Sequence, residues 1–366
     1  MSADRPLRIL FVDTEKVWRG GQDQLFSLMT GLRQRGHEIC LVAVPDAALA
    51  PKAIAEGLRV VPLSIRKSYE LPAFYRLQRL LRDESFDIIH FNTPRAVFLG
   101  TLISRWRGVP VRIISRRVNF PFRSGWLSRF KYSFGIDHII TVSHSILETL
   151  LEAGVAPQKV SVVYEGIDLA DFDLVPPDSD LPLDRKLIGT VSHLSEEKGH
   201  RFLIEAARRV CEAHPEALFV IVGDGPLHSS LIGLRDRLGL SKQIMFVGFR
   251  EQPIALLKRF DLFVLPSLSE GLSSAIMAAM ACSLPVVATR VGGIPELVSD
   301  EVTGLLVQPA DSIDLATAIK SLLSQPSRAA LLGRAGRERI REHFRIDVKL
   351  EQTVGIYRRL LKLKSP

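Results

Sequence analysis

The sequence predicts an α/β protein of two domains, each a doubly wound parallel sheet covered by helices. Short apolar runs alternate with segments of helical period along most of the chain, which is the pattern of βαβ units. The alternation halts once, between Asp168 and Asp184, in a stretch rich in Asp and Pro without sustained period, and then resumes. The 366 residues suffice for two domains at roughly 150 residues each.

The elements follow in order. Leu7-Arg-Ile-Leu-Phe-Val-Asp13 is a nearly continuous apolar run and reads as a buried first strand. A loop ending in Gly20-Gly21 leads into a helix with Leu25, Leu28, Met29 and Leu32 on one face, stopped at Gly36. Further strands are expected at 39–44, 60–63, 86–90, 111–115, 138–142 and 160–164, with helices after Pro94 and from Ser143. The second series places strands at 187–191, 218–222, 244–247, 262–265, 286–288 and 305–307. Helices near 199–213, 226–238, 252–259, 273–282 and 311–323 separate them. The basic tail from Arg334 to Lys364 carries Ile346, Leu350, Val354, Tyr357 and Leu361 on one face, so it should pack on a domain as a helix. The expected division is an N-terminal domain at 1–168, a linker at 169–185, a C-terminal domain at 186–344 and a last helix at 345–366.

Composition narrows the function classes. With 46% hydrophobic and 24% charged residues, 25 Gly and 21 Pro, the chain is neither collagen-like, coiled-coil nor mostly disordered. A net charge of +8 suits an anionic substrate or membrane surface without indicating nucleic acid. Cys40, Cys211 and Cys282 are too far apart for a CxxC metal or redox motif or a disulfide framework, which fits a reducing compartment. Residues 1–8 hold no apolar signal core, and the longest apolar stretch, Ser273–Ala288, is broken at Pro285, so a cytoplasmic protein is expected.

In open parallel sheets ligands sit beyond the carboxyl ends of strands, where amides at helix starts can hold anions. Gly20-Gly21 occupies such a place and lets a phosphate or sugar approach the backbone; a plain turn would carry the same pair. After the first strand of the second series comes His193-Leu-Ser-Glu-Glu-Lys198, a cation beside a helix start that favours diphosphate, although a solvated lysine would look alike. Gly223-Asp224-Gly225-Pro226 likewise leaves a strand and enters a helix, for structural or functional reasons. The strongest local signal is Glu270-Gly271-Leu272-Ser273-Ser274, a carboxylate at a strand's end followed by a small-residue helix. Glu270 can accept from sugar hydroxyls while amides and Lys198 hold phosphate, the division of labour a nucleotide sugar demands; as a plain capping carboxylate it would be unremarkable.

Between Arg95 and Lys131 stand nine basic residues and no acidic one: Arg95, Arg105, Arg107, Arg112, Arg116, Arg117, Arg123, Arg129 and Lys131. Trp106, Phe120, Phe122, Trp126 and Phe130 are interleaved. This reads as an anionic-lipid surface or anionic acceptor site, or as a solvated basic face with core aromatics. Nucleic acid is not favoured, because no nucleic-acid fold signature accompanies the charge. The pairs Asp171/Asp173 and Asp178/Asp180 fall in the expected linker, so no metal is assigned to them, and no nucleophile triad or HExxH is present.

Taken together, Gly20-Gly21, Glu165-Gly-Ile-Asp168, Glu-Lys198-Gly199, Gly223-Asp-Gly-Pro226, Glu270-Gly-Leu and Leu284-Pro-Val-Val-Ala-Thr-Arg-Val-Gly-Gly-Ile-Pro-Glu296 resemble glycosyltransferase family 4 over nearly the whole chain. The resemblance implies a retaining enzyme of the GT-B fold: two Rossmann-like domains facing a cleft and a C-terminal helix that crosses back to the N-terminal domain. It implies a nucleotide-diphosphate sugar as co-substrate on the C-terminal side, an acceptor on the N-terminal side, and no metal or cofactor. Lys198 would neutralise the diphosphate with help from His193, amides around Ser273 and Ser274 would hold the β-phosphate, and Glu270 would orient the sugar. Gly20, Gly21, Gly223, Asp224, Gly225, Gly271 and Leu272 complete the donor side; His90, Asn92, Arg116 and Arg117 form the acceptor side, Arg116 standing for the family's active-site His. The pattern departs at four positions: Ala278 replaces the second family glutamate, His193 an Arg, Arg116 a His, and Asn92 the second His of His-x-His.

The implied function is sugar transfer to a glycan or lipid-linked acceptor, in cell-surface polysaccharide or lipopolysaccharide synthesis, by a cytoplasmic protein peripheral to the inner membrane face. A degenerate glycan-binding subunit and a GT-B nucleotide-sugar epimerase are the alternatives, the first motivated by Ala278, Arg116 and Asn92.

Overall fold

The computed structural model describes residues 5–63, 71–118, 135–178 and 180–364. The chain divides into two compact units: unit 1 comprises Met1–Gly166 with Ile346–Pro366, and unit 2 comprises Ile167–Arg345.

In unit 1 the described strands are β1 (Arg8–Val12), β2 (Glu38–Ala43), β3 (Arg59–Pro62), β4 (Ile88–Phe91), β5 (Val111–Arg116), β6 (His138–Thr141) and β7 (Val160–Val162). They form one parallel sheet in the order β3-β2-β1-β4-β5-β6-β7. Ile9, Leu10, Phe11 and Val12 are all 0% exposed, which explains why β1 reads as an unbroken apolar run: both faces of the sheet are covered. The covering helices include α1 (Gly20–Gln34), α2 (Leu49–Ala55), α3 (Leu71–Asp83), α4 (Pro94–Trp106) and α5 (His144–Glu152). The sequence reading did not place α2, which is only seven residues long, or α3.

Unit 2 repeats the plan. Its strands β8 (Lys186–Val191), β9 (Ala217–Val222), β10 (Ile244–Gly248), β11 (Leu262–Leu265), β12 (Val286–Thr289) and β13 (Leu305–Val307) are parallel in the order β10-β9-β8-β11-β12-β13. Around them lie α6 (Leu169–Leu174), α7 (His200–Ala213), α8 (His228–Arg237), α9 (Ile254–Leu257), α10 (Ser274–Ala281), α11 (Ile294–Leu297), α12 (Ser312–Ser324) and α13 (Pro326–His343). Both sheets reverse their winding direction at one point, β1/β4 in unit 1 and β8/β11 in unit 2, and such switch points are where open α/β sheets bind ligands.

One expectation needs correction. The stretch 169–185 is not a free linker: Asp168 caps α6 by accepting from the Ala170 amide at 3.0 Å, and Phe172 is buried. Arg337 binds the Asp173 carboxylate at 2.7 and 2.9 Å, and Arg259 donates to the carbonyls of Asp178 and Pro182, so the segment belongs to unit 2. Between α13 and the last helix, α14 (Ile346–Lys364), the helical run breaks at Phe344–Arg345, where the Ile167 amide donates to the Phe344 carbonyl at 3.0 Å and Ile167 bridges Arg345. Leu350, Tyr357 and Leu361 are buried in the core of unit 1, with Ile346 and Val354 packed against it.

Candidate functional site

In unit 2 the switch point brings Lys198 and Glu270 together. Lys198 ends a single helical turn at 196–198 after β8, and Glu270 lies in the loop after β11. The Lys198 ammonium donates to Glu270 Oε1 at 2.5 Å, and the Ser267 hydroxyl donates to the same oxygen at 3.1 Å. Glu270 Oε2 accepts nothing from the described residues. The lysine side chain is 21% exposed and the carboxylate 9%, so the pair is shielded yet reachable.

Backbone packing holds this loop. Gly292 has φ +53, and a Cβ there would stand 1.9 Å from the Glu270 carbonyl oxygen, so only glycine permits the approach. Leu268 and Ser269 donate their amides to the Glu197 carbonyl, tying the lysine turn to the glutamate loop. Gly223 is likewise required beside the Ser192 carbonyl, 1.9 Å from its would-be Cβ. The Gly225 amide donates to Oδ1 of its exposed neighbour Asp224 at 2.7 Å. His193 is half-buried next to the lysine turn.

At the start of α10, the Ser273 hydroxyl accepts from the Ile276 amide at 3.3 Å, so Ser273 is the helix cap. Gly271 and Leu272 are buried, Leu272 packing as a core side chain, while Ser274 and Ala278 are half-buried. Sequence reasoning missed His200, whose Nε2 meets the Ser192 hydroxyl at 2.9 Å behind Lys198. Burial, helped by the Lys198 and His193 charges, lowers its imidazole to about 4.

Unit 1 places a second polar cluster at its own switch point. The Thr14 and Thr93 hydroxyls lie 2.7 Å apart across β1 and β4. Asp13 accepts from the Glu15 amide at 3.0 Å and from the Gln22 side chain at 3.2 Å, and burial raises its carboxyl above the ordinary range. Gly20 and Gly21 open α1, and a Cβ on Gly21 would lie 3.6 Å from Arg117 Cδ. Arg117 Nε donates to Glu165 Oε1 at 2.6 Å, and its Nη1 donates to Asn92 Oδ1. Burial pushes the Glu165 carboxyl up, but Lys349 and Arg117 overcome this and hold it below the usual range. Lys349, on α14, gave no sequence signal, because its partner lies 184 positions away.

Of the residues expected on the acceptor side, Arg117 donates to Asn92, whereas His90 and Arg116 are buried. His90 is 1% exposed with both ring nitrogens engaged, Nδ1 with the Tyr357 hydroxyl at 2.5 Å and Nε2 with the Ser115 hydroxyl at 2.8 Å. It is a core residue that ties β4 to α14, and burial lowers its imidazole to about 3. Arg116 is buried at the end of β5, and Arg112 is buried against Asp137 at 2.8 Å, so neither belongs to a solvated basic face. Trp106 and Arg105 are exposed. Phe120, Phe122, Arg123, Trp126, Arg129, Phe130, Lys131 and the side chain of Arg95 lie outside the described residues. No helix among the described residues is long and apolar enough to cross a membrane.

Known proteins resemble the chain in sequence and in fold. The model described as Glycosyltransferase Family 4 matches residues 18–171, and that of Glycosyl transferases group 1 matches 171–339. A UDP-Gal:alpha-D-GlcNAc-diphosphoundecaprenol alpha-1,3-galactosyltransferase of Escherichia coli is 30% identical over 66% of this chain and 67% of its own. An alpha-maltose-1-phosphate synthase of Mycolicibacterium smegmatis is 30% identical over 76% of this chain and 80% of its own. Anabaena HepE in complex with UDP-glucose superposes with a TM-score of 0.84 at 22% identity, covering 96% of this chain and 99% of that one, a likeness of fold. The chain belongs to glycosyltransferase family 4 and is a glycosyltransferase of the GT-B fold.

Proposed function

We propose that the protein is a retaining transferase that moves a sugar from a nucleotide-diphosphate sugar to a glycan or lipid-linked acceptor, in cell-surface polysaccharide or lipopolysaccharide synthesis. The Lys198–Glu270 pair at the β8/β11 switch point carries the reading. On this reading Lys198 turns to the diphosphate, and the first amides of α10, at Ser274 and Ala275, have no intrahelical acceptor and take the β-phosphate. Glu270 Oε2 accepts from a sugar hydroxyl, with His193, Gly223, Asp224 and Gly225 lining the donor.

In the transfer step the bond from C1 to the leaving phosphate oxygen breaks, and that phosphate takes the proton of the acceptor hydroxyl. The acceptor oxygen then bonds to C1 on the same face. No protein nucleophile, metal or cofactor enters this balance, so stabilising the departing diphosphate is the main task. Ala278 leaves the nucleotide ribose without the family's carboxylate, a loss of about 1.5–3 kcal/mol for each hydrogen bond to a charged group.

The Escherichia coli relative's name places its acceptor on diphosphoundecaprenol, which supports a lipid-linked acceptor and a peripheral place on an anionic membrane face. Labelled nucleotide sugars incubated with the protein and membrane extracts identify donor and acceptor together. Lys198→Ala and Glu270→Ala each abolish transfer in a folded protein, and unchanged turnover in both refutes the assignment. Co-sedimentation with anionic liposomes at low salt tests the membrane part alone.

A further inference from the structure

Glu165 lies just before the chain leaves unit 1, and Lys349 just after it returns at Ile346. Lys349 is 5% exposed and its ammonium has three acceptors: the Gln24 carbonyl at 2.9 Å, Gln24 Oε1 at 2.8 Å and Glu165 Oε2. Three acceptors use every N–H an ammonium has, so this lysine is fully spent inside the unit. The other Glu165 oxygen is thereby left for Arg117 Nε at 2.6 Å, while Arg117 Nη1 reaches Asn92. Held at two points, the guanidinium plane is fixed beside Gly21, and its Nη2 has no acceptor among the described residues.

A planar donor edge next to a glycine at a helix start matches a phosphoryl group, since an oxyanion can lie against the backbone and accept from the guanidinium together. Without Lys349 the Glu165 carboxylate would keep one cation for two oxygens. Arg117 would then satisfy both by a bidentate fork and rotate away from Asn92 and Gly21. We propose that Lys349 is a positioning residue that, through Glu165, aligns Arg117 so that its Nη2 edge binds a phosphoryl group of a substrate. The substrate's identity rests on the transferase reading above; the positioning of Arg117 does not.

The test follows phenylglyoxal modification of Arg117 by peptide mass spectrometry, with and without inorganic pyrophosphate. In the unmodified protein pyrophosphate slows modification by about tenfold, the factor one charge-assisted contact supplies. Lys349→Met abolishes the protection. Because that variant leaves a buried carboxylate short of a partner and can fail to fold, the double variant Glu165→Leu with Lys349→Met removes both charges together with the oxygen that anchors Arg117 Nε. A purely structural role requires the double variant to regain stability and protection together; the proposal requires regained stability with protection still lost. Wild-type protection in the folded double variant, or none in the unmodified protein, overturns it. Protection at lower concentration by UDP than by a short-chain prenyl diphosphate assigns the phosphoryl group to the donor, and the reverse order assigns it to the acceptor. UDP calorimetry on Lys198→Ala probes the transferase reading separately, through unit 2 alone.

Discussion

The sharpest structural prediction concerns Gly292→Ala. At φ +53 an alanine carries a left-handed penalty of roughly 1–2 kcal/mol. Its Cβ would also stand 1.9 Å from the Glu270 carbonyl oxygen, against a closest real approach near 3.0 Å, so the Glu270 backbone must retreat by about 1 Å. Such a retreat breaks the 2.5 Å contact with Lys198. A misplacement of about 1 Å costs on the order of 10²-fold in rate, equivalent to about 2.7 kcal/mol of transition-state stabilisation. Gly239→Ala is the matched control: its φ is +72 with nothing within 4 Å of a Cβ, so it carries the backbone penalty without the clash. Urea midpoints and transfer of labelled sugar are measured for both. Gly239→Ala should lose stability and keep its transfer rate, whereas Gly292→Ala should lose transfer by about two orders of magnitude. Equal behaviour of the two variants would show that the Gly292 contact does not place Glu270.

Two further outcomes concern stability. Burial lowers His90 to about 3 and His138 and His200 to about 4. Below the ordinary imidazole value of about 6.5 the unfolded chain takes up protons that the folded chain refuses, so this contribution is whole above that pH. It falls as the pH drops toward the folded values, by at most about 1.4 kcal/mol per pH unit for each imidazole. His90 and His138 lie in unit 1 and His200 in unit 2. Hydrogen exchange resolved by unit should therefore show unit 1 losing stability faster between pH 6.5 and 5, and a flat profile there would contradict the assignment. Tyr357→Phe deletes the hydroxyl that meets His90 Nδ1 and leaves a buried ring nitrogen unsatisfied, costing about 1–3 kcal/mol; an unchanged urea midpoint would mean that His90 finds another partner.

Strands were legible in the sequence because each is an apolar run buried on both faces, as in Leu218–Val222 and Val286–Ala288. Lys198 and Glu270 were legible because each follows a strand and precedes a helix start, and local order is enough to place such residues at one edge of a sheet. Their mutual pairing was not, since it depends on β8 and β11 being neighbours, a fact of topology rather than of spacing. His90 misled because a histidine near a strand's end looks the same whether its ring faces a ligand or a tyrosine from the last helix.

Acidic residues sort by sheet end, and the sorting separates scaffold from chemistry. Asp87, Asp137 and Asp261 each stand immediately before a strand, in Phe86-Asp-Ile, Ile136-Asp-His and Phe260-Asp-Leu. Each accepts the amide of a residue starting the neighbouring strand: Asp87 from Arg8 at 2.8 Å, Asp137 from Arg112 at 2.9 Å and Asp261 from Leu187 at 2.8 Å. Each also pairs with a cation, Arg5, Arg112 and Lys186 respectively. These carboxylates cap the amino edges of both sheets and are spent on strand alignment. Glu165 and Glu270 lie instead beyond carboxyl ends, after β7 and β11, and accept from Arg117 and Lys198, the side chains proposed above to meet phosphate. A fold that satisfies its strand starts with one set of acids can hold a second set at the opposite edge without needing them for the sheet. That is why Glu270 keeps an oxygen unclaimed by the described residues while Asp261, one residue before the same strand, binds the backbone of its neighbour.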